Sequence, residues 1–287
     1  MKKYIIYFFQ SFIIYLLFIL SKIIGLKLSR LIFSNIFIKI GDLFKSKKII
    51  LENLEKINPN FSEVEKERKV NKMWANYGKT FIEYIFLNNF RKKSNHIKIK
   101  NKEIIEDIEK KNKQVIFISG HFANFELMSM ELTKSNIKLA TIYRPLNNIF
   151  LNPFMEFLRK KYVCKNQIKK GISGVKDALN FMEKNYCIAL MVDQRVSEGL
   201  KVPLFENNAF TTTLPAQLSI RFNCDIIPIY ISRDKNNNFE MEILNPLIFP
   251  ENRKKDKVYI TKKINEKIEQ LIIRDPSQWI LTHNRWK

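Results

Sequence analysis

The chain has 287 residues, enough for one large domain or two small ones, and 46% of them are hydrophobic against 27% charged, which excludes a wholly disordered polypeptide. Seven Gly and nine Pro exclude collagen-like architectures, and three scattered cysteines (Cys164, Cys187, Cys224) with no CxxC spacing exclude a disulfide framework. Fifty Lys and Arg against 28 Asp and Glu leave a net charge of +22, which calls for an acidic partner: nucleic acid, anionic lipid or an acidic protein.

Residues Tyr4 to Leu20 carry no charge, and Gln10 and Ser11 are their only strongly polar side chains. At about 1.5 Å per residue they reach roughly 25 Å, and continuation through a snorkelling Lys22 to Leu26 is long enough to cross a ~30 Å hydrocarbon layer. Lys2 and Lys3 resemble a signal-peptide n-region, but no small-x-small cleavage site follows. From Lys22 to Lys48, polar residues recur every three to five positions among Ile24, Leu28, Leu31, Ile32, Ile36, Ile38 and Leu43, the pattern of a basic amphipathic helix at a membrane interface or packed on a core. The spacing predicts an anchor over 1–48, spanning or monotopic, and a domain over 49–287. Lys22, Lys27, Arg30 and Lys39 after the apolar run place that domain in the cytoplasm by the positive-inside bias.

Residues 49–90 read as helices, with a capping box at Ser62 and Glu65. Beyond them, predicted strands at 97–100, 115–119, 139–143, 188–192, 226–231 and 239–244 alternate with predicted helices at 124–134, 152–161, 173–184, 215–221 and 256–273. The alternation predicts an α/β fold with a mostly parallel central sheet flanked by helices.

The buried-strand run Val115–Ser119 leads into Gly120-His121-Phe122-Ala123-Asn124-Phe125-Glu126, placed where open α/β sheets bind ligands. His121 and Glu126 are five apart, about 140° around an ideal helix, so they meet only if His121 lies in the turn before it. A carboxylate so placed holds one imidazole nitrogen and leaves the other as a base. On spacing alone, a buried histidine beside a capping glutamate fits equally well.

GHFANFE resembles the His-x4-acid signature of the glycerolipid and lysophospholipid acyltransferases, and most closely the Glu-bearing form of the bacterial lipid A biosynthesis lauroyl/myristoyl acyltransferases. Further blocks follow in that family's order: Tyr143-Arg144-Pro145, Arg159 after Asn152-Pro153, Asp193-Gln194, Val202-Pro203-Leu204-Phe205, Thr211-Thr212-Thr213, Pro228, and the closing Asp275-Pro276-Ser277-Gln278-Trp279 through His283-Asn284-Arg285-Trp286-Lys287. Ala123 stands where Gly is usual, Phe125 where Trp is, Glu206 where Gly is frequent and Leu281 where an aromatic is common.

The resemblance implies transfer of a fatty acyl chain from acyl carrier protein to a hydroxyl of a Kdo-bearing lipid A precursor, at the inner membrane, without metal or organic cofactor. It implies His121 and Glu126 as catalytic residues, with Glu126 orienting His121, and Asn124, Arg144, Arg159 and Asp193 as substrate-binding positions. Another glycolipid or phospholipid acceptor is the alternative within the same chemistry. The backbone N–H groups near Phe122–Asn124 are candidates for an oxyanion site. His96 and His283 read as structural. No GxSxG elbow is present, Cys187 lies in an apolar strand, and direct transfer is expected. A nucleic-acid-binding role lacks any RNP, zinc or helix-turn-helix signature despite the basic runs Arg91-Lys92-Lys93 and Arg253-Lys254-Lys255.

Overall fold

The computed structural model describes residues 2–287. It opens with α1 (Lys2–Phe44), α2 (Lys47–Ile57), α3 (Glu63–Glu83) and α4 (Leu87–Lys92). The α/β body follows as β1 (Ile97–Lys100), α5 (Lys102–Lys110), β2 (Val115–Ser119), α6 (Glu126–Lys134), β3 (Leu139–Tyr143), α7 (Asn152–Leu158), β4 (Asn166–Lys169), α8 (Ile172–Glu183) and β5 (Cys187–Met191). A hairpin, β6 (Leu200–Leu204) and β7 (Asn207–Thr211), precedes α9 (Leu214–Phe222), β8 (Asp225–Arg233), β9 (Phe239–Ile243) and α10 (Lys257–Arg274).

Seven strands form one sheet in the order β1-β9-β8-β2-β5-β3-β4, parallel throughout except for the β8/β9 pair. The expected mostly parallel α/β fold is the one observed. Burial on both faces explains why β2 reads as an unbroken apolar run. Val115 and Phe117 pack with Leu127, Met128 and Met155 on one side, while Ile116 and Ile118 pack with Ala178, Leu218 and Ile264 on the other.

The hairpin stands apart from the sheet, with Asn265 of α10 donating to the Pro203 carbonyl at 2.7 Å and the Phe205 N–H donating to Glu269 at 2.7 Å. The chain's last residues close over it. The buried Arg285 donates to the Phe210 carbonyl (2.8 Å) and to Thr211 Oγ1 (2.7 Å), and Trp286 Nε1 donates to the Leu204 carbonyl (2.9 Å).

The first helix is two helical stretches joined at a kink at Gly25, whose φ of 80° and ψ of 169° lie in a region open essentially only to glycine. Ser29 Oγ supports the break, donating to the carbonyls of Gly25 (2.7 Å) and Ser21 (3.1 Å). Beyond it the helix packs closely on α3. A Cβ at Gly78 would come within 2.3 Å of the Phe33 carbonyl oxygen, and one at Gly41 within 2.3 Å of the Trp74 ring. The helix over Lys3–Phe44 is long and apolar enough to cross a membrane by length and composition.

Candidate active site

The strand-to-helix turn after β2 is fixed from three sides. The Phe122 N–H closes a tight turn onto the Gly120 carbonyl (2.8 Å), and the Ala123 N–H donates to the Gln278 carbonyl (2.8 Å). Thr80 Oγ1 of α3 donates to the Ala123 carbonyl at 3.0 Å. Ala123 has a φ of +43°, the left-handed conformation that explains why glycine suits this position. These bonds occupy the Phe122 and Ala123 donors, two of the three N–H groups over 122–124 expected to serve an oxyanion. The helix itself starts at Glu126, two residues later than its predicted start at Asn124, because 121–125 form this clamped turn.

His121 is thereby held out of the helix, with 18% of its side chain exposed. Its Nδ1 lies 2.7 Å from Asp193 Oδ1, while its backbone N–H donates to Asp193 Oδ2 at 2.9 Å. Strand register produces this contact. In the parallel β2/β5 pair Ser119 faces Met191, and two residues further along each chain stand His121 and Asp193. Trp279 Nε1 adds a third bond to Asp193, at 2.7 Å. Burial alone would raise the Asp193 pKa, but the imidazole and these donors outweigh it and hold the carboxyl well below the usual carboxylate range.

An ionised Asp193 accepts the proton on Nδ1, which leaves Nε2 of His121 as the lone-pair nitrogen. That nitrogen faces the side-chain amide of Gln194 at 3.4 Å, and the same amide nitrogen lies 3.0 Å from His283 Nε2. One NH2 group donating to the lone-pair nitrogen of each ring satisfies both contacts. Burial first, and then the nearby Lys45 and Arg144 charges, push His283 down to about 4, which keeps it neutral. Asn53 fixes the segment that carries His283 by donating to the carbonyls of Leu281 (2.7 Å) and His283 (2.8 Å).

Glu126 takes other partners. Arg159 Nε donates to Glu126 Oε1 at 2.7 Å, Tyr84 OH donates to the same oxygen at 2.5 Å, and Arg159 Nη2 reaches the Tyr84 oxygen at 2.9 Å. No hydrogen bond joins Glu126 to His121 among the described residues. The remaining nitrogen of the fork, Arg159 Nη1, is buried with no hydrogen-bond partner among the described residues. Asn124 is 1% exposed, and its amide donates to Glu83 Oε2 at 2.9 Å. Glu83 is fully buried between the Arg233 guanidinium, which bonds both its oxygens, and Arg30 of α1 (2.6 Å). Arg144 stands exposed beyond the end of β3, and its charge lowers the pKa values of both Lys170 and His283.

The structure therefore brings His121 and Asp193 into direct contact, gathers Glu126 with Arg159, turns Asn124 toward α3, and leaves Arg144 at the rim. In the sequence Gln194 stands only within a motif and His283 reads as structural, while Tyr84, Glu83 and Arg233 give no sign. All three sulfhydryls are poor nucleophiles, because burial pushes Cys164 and Cys187 up to about 11 and Cys224 to about 12.

In this mostly parallel sheet the anchored histidine stands at the carboxyl end of a central strand, where α/β folds place ligands. The family model for bacterial lipid A biosynthesis acyltransferases matches residues 2–287, so the chain belongs to that family and is an acyltransferase. A search of curated proteins found no match to it.

Proposed function

We propose that the enzyme transfers a fatty acyl chain from the thioester of acyl carrier protein to a hydroxyl of a lipid A precursor, in a late acylation step. His121 Nε2 removes the acceptor hydroxyl proton as that oxygen attacks the thioester carbonyl. The tetrahedral intermediate collapses by breaking the C–S bond, and the imidazolium returns the proton to the departing thiolate. Asp193 orients the ring and stabilises the transient imidazolium. Glu126 acts on the reaction through Arg159 and Tyr84, presenting the guanidinium toward the substrate. The observation that carries this reading is the two-point hold of Asp193 on His121, which leaves Nε2 as the lone-pair nitrogen of a partly exposed ring.

The surroundings favour an anionic acceptor. Lys45 and Arg144 lie near His283, with Lys170 near Arg144, and a guanidinium or ammonium there suits phosphate and carboxylate groups. The same positive field favours docking of an acidic carrier protein from the cytoplasm and association with the anionic inner membrane. Residues 1–48 serve as the anchoring part of the chain. Mass spectrometry of lipid A from cells with and without the protein tests the reading. One secondary acyl chain should disappear with the protein and fail to return with His121→Ala. An unchanged lipid A together with a shift in another lipid class would overturn this acceptor, and full rescue by His121→Ala would overturn the mechanism.

A further inference from the structure

The first half of α1 has two unlike sides. Tyr7, Ser11, Ile14, Tyr15, Phe18 and Ser21 are buried or half-buried, and at 100° per residue they fall within a band of about 120°. The opposite side exposes Ile5, Phe9, Phe12, Leu16, Ile19 and Ile23. The buried band is docked along the domain through nearly its whole length. Asn148 donates to the Tyr7 carbonyl (2.9 Å) and accepts from Ser11 Oγ (2.9 Å). Tyr15 OH donates to the Phe150 carbonyl (2.8 Å), and Tyr15 and Phe18 stack on Phe154 of α7 at 5.5 and 6.2 Å. From Tyr7 to Ser21 this contact runs about 21 Å along the helix axis.

Such a docking conflicts with a crossing. If residues 4–20 spanned the hydrocarbon, Tyr7 would lie only about 4.5 Å along the axis from the far end, well past the midplane. Asn148 would be there with it, and with Asn148 the irregular backbone of residues 144–151, whose Leu146, Asn147, Ile149 and Phe150 are exposed. Lipid-exposed irregular backbone does not occur within the hydrocarbon layer, and Arg144 at the start of this loop would add the cost of a charge. An interfacial position removes the conflict. There Leu146, Ile149 and Phe150 extend the apolar side of the helix, joined to it by the Phe8–Phe150 ring contact at 5.7 Å. Exposed cations then border the patch at both ends of the helix, Lys3 and Lys22, and beside the exposed Phe157, Lys160 and Lys161, as an anionic headgroup layer requires.

We propose that this half of α1 does not cross the bilayer but lies in one leaflet, and that with the 144–151 loop it forms a single lipid-facing surface. The proposal rests on the membrane association put forward above. Its test uses Lys3→Cys and, as a marker of the domain's side, Lys235→Cys at the exposed β8–β9 turn, each in a Cys224→Ser background of the full chain, probed with a membrane-impermeant maleimide. Both positions should react in inside-out vesicles and neither in intact spheroplasts. Reaction of Lys3→Cys in spheroplasts with Lys235→Cys protected would establish a crossing and overturn the proposal. Recovery of the protein in the soluble fraction would instead remove the membrane association itself. For the loop, Leu146→Asp with Ile149→Asp should weaken partition of the protein onto anionic phospholipid vesicles by about tenfold or more, from the apolar area lost. An unchanged partition would show that the loop does not meet lipid.

Discussion

Asp193 holds His121 at two points, one oxygen on the ring and the other on the backbone N–H of the same residue, so ring orientation and chain position are set together. Replacing the carboxylate by an amide keeps the volume but removes the charge that stabilises an imidazolium. Asp193→Asn should lower kcat by about two to four orders of magnitude, the scale seen when such an orienting carboxylate is lost. The checking measurement is steady-state acyl transfer, with circular dichroism to confirm the fold. A loss under about threefold would remove Asp193 from the mechanism.

Glu126 makes a different prediction because its partner is a buried cation. Glu126→Gln leaves the Arg159 guanidinium uncompensated, and breaking a buried pair in this way costs about 3–5 kcal/mol. Denaturant unfolding should show this loss, and the double change Glu126→Gln with Arg159→Met should recover part of it. A stability unchanged by Glu126→Gln would show that the pair does not persist in solution.

Acid should weaken the fold through two histidines. His96 and His283 both sit near 4 in the folded protein, each lowered first by burial, against about 6.5 when unfolded. Between those values the unfolded chain binds more protons, so the stability they contribute is complete above about pH 6.5 and is lost as the pH falls toward 4. His96 stacks on Phe90 at 4.8 Å, and among the described residues neither buried ring nitrogen has a hydrogen-bond partner, the Glu131 carboxylate lying 3.7 Å from Nε2. His96→Phe should therefore flatten the loss of unfolding free energy across that pH window. An identical pH profile for the variant would refute the assignment.

Thiol chemistry should be dispensable. With Cys164, Cys187 and Cys224 all held at about 11 or above, N-ethylmaleimide at pH 7 should leave acyl transfer within about twofold of its starting rate. Stoichiometric inactivation would point to an acyl-enzyme on cysteine instead of direct transfer.

The close approach of α1 and α3 gives a test of packing. Gly78→Ala places a methyl 2.3 Å from the Phe33 carbonyl oxygen, and the backbone on both sides leaves it nowhere to go. Overpacking of this kind costs about 1–3 kcal/mol. Thermal unfolding should report it, whereas Gly171→Ala, with open space around the new methyl, should show only the strain of its positive φ.

Much of this fold is legible in the sequence, for reasons particular strands make plain. β1, β2 and β3 coincide with their predicted spans, β1 through its Ile-Lys alternation and β2 and β3 through apolar runs bounded by polar, charged or turn-forming residues. β4 is short and mostly polar, Asn166–Lys169, and offers no apolar run to detect. β6 contains Pro203, which argues against a strand, yet it survives in a two-stranded hairpin outside the main sheet. The position of His121 after a buried strand is equally readable. Its pairing with Asp193 is not, since 72 residues separate them and only the adjacency of β2 and β5 puts the two strand ends side by side. Spacing suggests Glu126 as the partner because it is near in sequence. In space, α6 carries Glu126 toward Arg159, a residue held by the irregular helical turn at 159–163.

The break at Gly25 divides the first helix into two stretches under different rules. After it, Phe33, Phe37 and Gly41 fit against Trp74, Tyr77, Gly78 and Phe81, where shape decides and a single methyl is felt. Before it, the outward side needs only oiliness, so Ile, Leu and Phe are interchangeable there while Ser11 and Tyr15 are not. Random substitution across residues 4–44 should therefore yield two tolerance profiles that meet at one glycine: a permissive one indifferent to side-chain shape, and an exacting one that reads every carbon.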